Sequence, residues 1–210
     1  MTISSESKSQ LALGLHDIGA IKFGAFRLKH HETNPDAPLS PFYVDLRLIR
    51  SFPKLMDIAT DLYIEATRQA EFELIADVPT AGTPIAAIIS HKLSIPMVTP
   101  RLEVKGHGDP ARVQGVWTDG QKCLVIDDLI TTAASKIEAI KVLESGGLVA
   151  QDIGVLVDRG QGGREHLEAA GYRCWAVFSF PDLIRKYQQV GYLSDEQARI
   201  ALGYIESNRV

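Results

Sequence analysis

The sequence predicts an α/β protein built on a doubly wound parallel sheet, and three observations carry that prediction. Apolar, β-branched runs at 72–78, 122–126, 152–158 and 173–180 lack the polar alternation of a strand facing water, so each reads as a strand buried on both faces. Stretches with apolar residues at helical spacing alternate with these runs, which is the grammar of a parallel sheet covered by helices. The first three runs lead into segments rich in Gly, Thr, Ser or acids, the residue types suited to the carboxyl edge where such sheets bind ligands.

Taken in order, Leu11, Leu13, Leu15 and Ile18 place a first helix over about 9–18, ending near Gly19. Phe23, Phe26 and Leu28 flank Lys22, Arg27 and Lys29 around Gly24, so this stretch is expected to form a short hairpin-like strand pair. HHETNPDAPLSP (30–41) is a loop, and its adjacent His30 and His31 point to different sides, as solvated histidines do. FYVDLRLI (42–49) alternates as a strand with one buried face. Ser51 then caps a helix with Pro53 in its first turn and Leu55, Ile58, Ala59, Leu62 and Ala66 on one stripe. After the strand 72–78, Ala81-Gly82 forms either a plain turn or a place where backbone amides approach a charged ligand, before the helix 85–93. A short strand, 95–100, opens the loop RLEVKGHGDPARVQG (101–115), whose glycines and sparse apolar content predict mobility and whose Arg101, Lys105, His107 and Arg112 suit a lid over a polyanion. VWTDG (116–120) looks like a hairpin returning to the strand 122–126. A helix ending at Gly146-Gly147, the strand 152–158 with its glycine-rich turn, a helix over REHLEAAG and the strand 173–180 follow, and two helices start near Pro181 and Ser194. The first fifty residues do not fit the alternation and are expected to cap the sheet's carboxyl edge, within one domain spanning 1–210.

Composition narrows the function. A net charge of −4 argues against a surface built for nucleic acid, which rewards a concentrated basic face. The two cysteines, Cys123 and Cys174, lie inside apolar runs without metal-ligand spacing and read as reduced core residues. The polar start MTISSESKSQ lacks the apolar core of a signal peptide and no segment is apolar enough to span a bilayer, so a cytoplasmic protein is expected.

The most informative stretch is KCLVIDDLITTAASK (122–136), where an apolar run ends in Asp127 and Asp128 and passes through Thr131, Thr132, Ala133, Ala134 and Ser135 into an amphipathic helix. Adjacent carboxylates at a sheet edge repel, and sugar hydroxyls or a hydrated cation are their natural partners. Hydroxyls and free amides opening a helix suit a phosphate dianion. Ordinary helix N-capping is the bland alternative.

This segment resembles the motif with which type I phosphoribosyltransferases bind 5-phosphoribosyl 1-diphosphate (PRPP). Four stretches, FGAFRLK with SPFYVDLRL (23–48), VPTAGTPIA (78–86), PRLEVKGHG (100–108) and LVIDDLITTAAS with VLVDRGQGG (124–163), together resemble the orotate phosphoribosyltransferases. The resemblance implies the type I phosphoribosyltransferase sheet with a small N-terminal hood, and conversion of orotate and PRPP to orotidine 5'-monophosphate and diphosphate. It implies that Asp127 and Asp128 serve the ribose hydroxyls, that Leu129, Ile130, Thr131, Thr132, Ala133, Ala134 and Ser135 line the 5-phosphate, and that Arg101, Lys105 and His107 meet the diphosphate. Lys105, His107, Asp127 and Asp128 would be catalytic; Lys29, Tyr43, Thr131 and Arg159 would hold orotate. It further implies Mg²⁺, held mainly through PRPP and water, and a homodimer sharing loop 101–115 across its interface. Leu102, Thr80-Ala81, Ala133 and Ala134 depart from the common pattern, and Ala133 replaces a glycine, which requires right-handed backbone there. A PRPP-binding regulatory protein, or a transferase for another base, is the alternative.

Overall fold

The computed structural model describes residues 5–28, 32–102 and 112–209. A first helix, α1 (Ser5–Asp17), buries Leu11, Ala12 and Leu15. It leads into β1 (Ile21–Phe26), which pairs antiparallel with β2 (Ser40–Val44) in a ribbon separate from the main sheet. The strand pair expected within 20–29 is therefore a pairing across the intervening loop, with Lys22 opposite Tyr43 and Phe23 opposite Phe42.

The strand expected over 42–49 stops at Val44. Asp45 accepts the Arg47 amide at 3.2 Å and the Arg47 guanidinium at 2.6 and 2.8 Å, and residues Leu46–Ser51 wind into a 3₁₀ helix. A carboxylate that captures donors two residues on offers the chain a turn in place of the next ladder bond. Ser51 ends that turn and does not cap the next helix, α2 (Pro53–Ala66), whose N-cap is Phe52 with Pro53 at the first helical position. Pro there loses no hydrogen bond, since the first-turn amides have no intrahelical acceptor.

The main sheet comprises β3 (Leu74–Asp77), β4 (Met97–Pro100), β5 (Val113–Gln114), β6 (Lys122–Ile130), β7 (Val149–Asp158) and β8 (Arg173–Ser179), in the order β5-β4-β3-β6-β7-β8. All neighbours are parallel except β5, which closes the edge antiparallel to β4. β5 precedes the hairpin expected at 116–120, and that segment is tied elsewhere: Trp117 Nε1 donates to the Gly146 carbonyl at 2.8 Å and the Gly120 amide to the Gly147 carbonyl at 2.7 Å.

Helices α3 (Thr83–Leu93), α4 (Ala134–Ser145), α5 (Gly163–Ala169), α6 (Phe180–Gln189) and α7 (Asp195–Ser207) complete the chain. Ser194 and Gln197 form a reciprocal capping box at the start of α7. Side-chain alternation along the strands feeds two cores. Ile75, Leu124, Ile126 and Leu156 pack with α1, α2, α3, α6 and α7 on one face, whereas Ala76, Cys123, Val125, Ile153 and Val155 pack with α4 and α5 on the other. Both cysteines are buried and free, with burial pushing each thiol up to about 12. The β1–β2 ribbon joins the first core at the carboxyl ends of β7 and β8. There Phe180 meets Phe23 at 6.5 Å and Phe42 at 4.7 Å between ring centroids.

Candidate active site

β6 runs four residues further than the apolar stretch implied, so Asp127 and Asp128 lie within the strand, where Asp127 pairs with Val155. Successive strand residues face opposite sides, and the two carboxylates accordingly have different surroundings. Asp127 turns to the α4 face, is 4% exposed, and sets its Oδ2 2.6 Å from Lys136 Nζ. Its Oδ1 accepts the Asp128 amide at 2.8 Å, and its carbonyl accepts the Tyr63 hydroxyl at 2.6 Å. Asp128 turns to the other face, where its charge reaches Tyr63 and Arg47, and its Oδ1 accepts the Leu129 amide at 2.7 Å. Partial burial, reinforced by the Asp127 charge, pushes the Asp128 carboxyl up to about 7. Asp127 is thus engaged by Lys136 and the Asp128 amide, whereas Asp128 accepts the Leu129 amide and its carboxyl lies beside that of Asp127.

Beyond β6, residues 131–133 bend and α4 begins at Ala134. Ala133 has φ −78° and ψ −11°, so alanine stands without strain where a left-handed backbone would have demanded glycine. Among the described residues no side chain caps α4, and Thr132, Ala134 and Ser135 are exposed. The loop therefore presents first-turn amides and hydroxyls to solvent, an arrangement that attracts anions. Leu129 and Ile130 differ from this picture, since both pack into the cores; only their backbone lies along the loop, with the Ile130 carbonyl accepting the Arg159 amide at 3.0 Å.

The glycine-rich turn after β7 brings Arg159 to the same rim. A Cβ on Gly163 would meet the Thr131 carbonyl oxygen at 2.7 Å, so only glycine lets α5 start this close to the loop. Arg159 reaches Thr131 Oγ1 at 3.5 Å and lies 5.2 Å above the Phe42 ring, with a buried Nε that has no hydrogen-bond partner among the described residues. Burial lowers the Arg159 pKa from its ordinary value. Tyr43 does not share that contact with Arg159. It occupies the other face of the ribbon, exposed and 5.8 Å from the Phe26 ring, because neighbours on a strand alternate.

At the carboxyl end of β3, the Gly82 amide donates to the Val78 carbonyl at 3.1 Å and so does not wait for a ligand. A Cβ on Gly82 would lie 2.3 Å from the Ile126 carbonyl oxygen, which makes this glycine a packing requirement between α3 and β6. Gly82→Ala is expected to lower stability by about 1–3 kcal/mol, read as a fall in melting temperature; an unchanged melt would show that α3 can shift freely. Beside it, the buried Asp77 accepts the Thr83 hydroxyl. Arg101 donates its amide to the Arg112 carbonyl at 2.7 Å, and Leu102 packs against the α4-side core. Lys29, His30, His31, Lys105 and His107 lie outside the described residues.

No protein-family model matches the chain. An orotate phosphoribosyltransferase from Pyrobaculum aerophilum is 33% identical over 196 residues, covering 93% of this chain and 97% of that protein. The chain belongs to the orotate phosphoribosyltransferase family. The crystal structure of an orotate phosphoribosyltransferase from Aeropyrum pernix superposes with a TM-score of 0.71 at 30% identity, covering 86% of this chain and 99% of that one. Bos taurus uridine 5'-monophosphate synthase is 33% identical over 94% of this chain, which spans 40% of that enzyme's length.

Two residues at this rim escaped the sequence reading. Lys136 carried a signal: it follows Ala133 and precedes Ala139, Ile140 and Leu143 on the apolar stripe of α4, where a charge implies a buried counter-ion. Phe42 carried none beyond its position in the SPFYVD run, because which neighbour of an aromatic pair meets the site is set by the ribbon's register.

Proposed function

We propose that the chain transfers the phosphoribosyl group of PRPP to orotate, forming orotidine 5'-monophosphate and diphosphate in pyrimidine (UMP) biosynthesis. The observation that carries this reading is the convergence of Asp128, the 131–135 loop and Arg159 at one rim. In the reaction the bond between C1 and the diphosphate oxygen breaks while a bond from the orotate ring nitrogen to C1 forms, and the proton of that nitrogen is lost to the departing diphosphate or to water. Asp128 would accept a ribose hydroxyl and counter the positive charge growing on the ring. The loop amides and the Thr131, Thr132 and Ser135 hydroxyls would hold the 5-phosphate, and Arg159 with Thr131 would hold the anionic base. Residues 1–50 would act as the hood over this site. Turnover of orotate with PRPP by the purified protein tests the reading; turnover with another base alone would move the chain to a sister transferase. The relatives named orotate phosphoribosyltransferase do not favour the regulatory alternative, which Leu102, Ala133 and Ala134 motivate.

Mg²⁺ is part of the same proposal and rests on the resemblance. Among the described residues no group of three or more His, Cys, Asp and Glu could hold a metal ion. Asp128 would at most add one carboxylate oxygen to a cation bound chiefly through substrate phosphates and water. Such a cation would neutralise charge on the departing diphosphate.

The homodimer with a shared 101–115 loop is part of the same proposal and rests on the resemblance. Lys105→Ala is then expected to lower kcat roughly 10²–10³-fold with the melting temperature unchanged. Mixed with Asp128→Asn, it should regain activity on subunit exchange, because one site of each mixed dimer carries neither defect. Confirmed heterodimers that stay inactive would rule out service to the partner's site.

A further inference from the structure

Among the described residues, Lys136 is the buried cation at this rim that the proposed chemistry leaves without a task. It is 5% exposed and stands third in α4, where the helix dipole disfavours positive charge. Its Nζ lies 2.6 Å from Asp127 Oδ2 and 3.3 Å from Ser135 Oγ. An ammonium has donors only, so the serine oxygen is the acceptor in that contact and its own hydrogen must point away from Nζ. Ser135 is exposed and belongs to the first turn of α4, among amides that have no intrahelical acceptor. The lysine thus leaves the hydroxyl hydrogen free for an acceptor on the solvent side, where Ser135 is exposed. Ala134, one residue earlier, has no hydroxyl to offer there.

We propose that Lys136 is a positioning residue for anion binding, fixing the Ser135 hydroxyl as a donor to a phosphate at the 131–135 loop while Asp127 anchors the ammonium. This rests on the reading of that loop as the phosphate site. It gives Asp127 a supporting task, and it uses a charge-assisted contact to prepay the orientation of a freely rotating hydroxyl.

The test is a titration of the intact protein with inorganic phosphate by calorimetry. The parent, Ser135→Ala, Asp127→Asn/Lys136→Met and the triple variant form a cycle, each checked for folding by circular dichroism. Replacing both members of the buried pair avoids stranding one charge. Ser135→Ala is expected to weaken phosphate binding about tenfold in the parent and only about twofold where the lysine is gone and the hydroxyl rotates freely. Equal losses in the two backgrounds, or no loss in the parent, overturn the proposal. Lys136→Arg keeps a donor-only group, so the Ser135→Ala loss should stay near tenfold there; a fall to twofold would overturn it as well, even if the pair-replaced protein did not fold. A parent that binds no phosphate sinks the reading of the loop and this proposal with it, whereas phosphate binding with additive losses sinks this proposal alone.

Discussion

Asp128→Asn is expected to cost roughly 10²–10³-fold in turnover with PRPP while raising stability above neutral pH. Asp128 titrates near 3.8 as a free side chain and is pushed up to about 7 in the folded protein by burial and then by the Asp127 charge. Between those values the native state holds a proton that the unfolded state has released, so the stability this group contributes is present below about pH 4 and is lost as pH rises to about 7. Above that, the native protein carries an ionised carboxylate at a desolvated position, and removing its charge relieves on the order of 1–3 kcal/mol. The variant should therefore melt several degrees higher at pH 8 and lose that advantage near pH 4. If its activity is unimpaired, Asp128 does not serve the sugar; if its melting temperature falls at pH 8, the carboxylate is structural.

Lys136→Met is expected to destabilise the protein by about 3–5 kcal/mol, since it leaves the buried Asp127 carboxylate without its counter-ion. Adding Asp127→Asn should return most of that loss, because a neutral amide can still accept the Asp128 amide now bonded to Oδ1 at 2.8 Å. Denaturant unfolding of the parent, the two single variants and the double variant measures the coupling. A single variant as stable as the parent would mean that the pair contributes no net stability.

Much of the architecture was legible because burial on both faces leaves a direct mark on composition. CLVI, ELIADV and IGVLVD could hardly be other than interior strands, and the helices between them repeat at their own period. The position of the acids and hydroxyls at the carboxyl edge followed from the same grammar, whereas the right-handed backbone that Ala133 requires was a condition that the structure meets. Periodicity failed where a local side-chain contact overrode it. FYVDLRLI alternates correctly for a strand, yet the Asp45–Arg47 fork draws the chain into a 3₁₀ turn before the second half can pair.

The sequence by itself determined the sheet, the family and the rim at which the chemistry gathers. Only the tertiary structure decided which of two adjacent acids Lys136 engages and which of two adjacent aromatics lies under Arg159. Both choices turn on strand alternation combined with what packs on each face: α4 brings Lys136 to Asp127, and the ribbon's register brings Phe42 to Arg159. A pattern along the chain records that a residue is buried or lies at an edge. The identity of its partner depends on a second element distant in sequence, and local periodicity carries no trace of that.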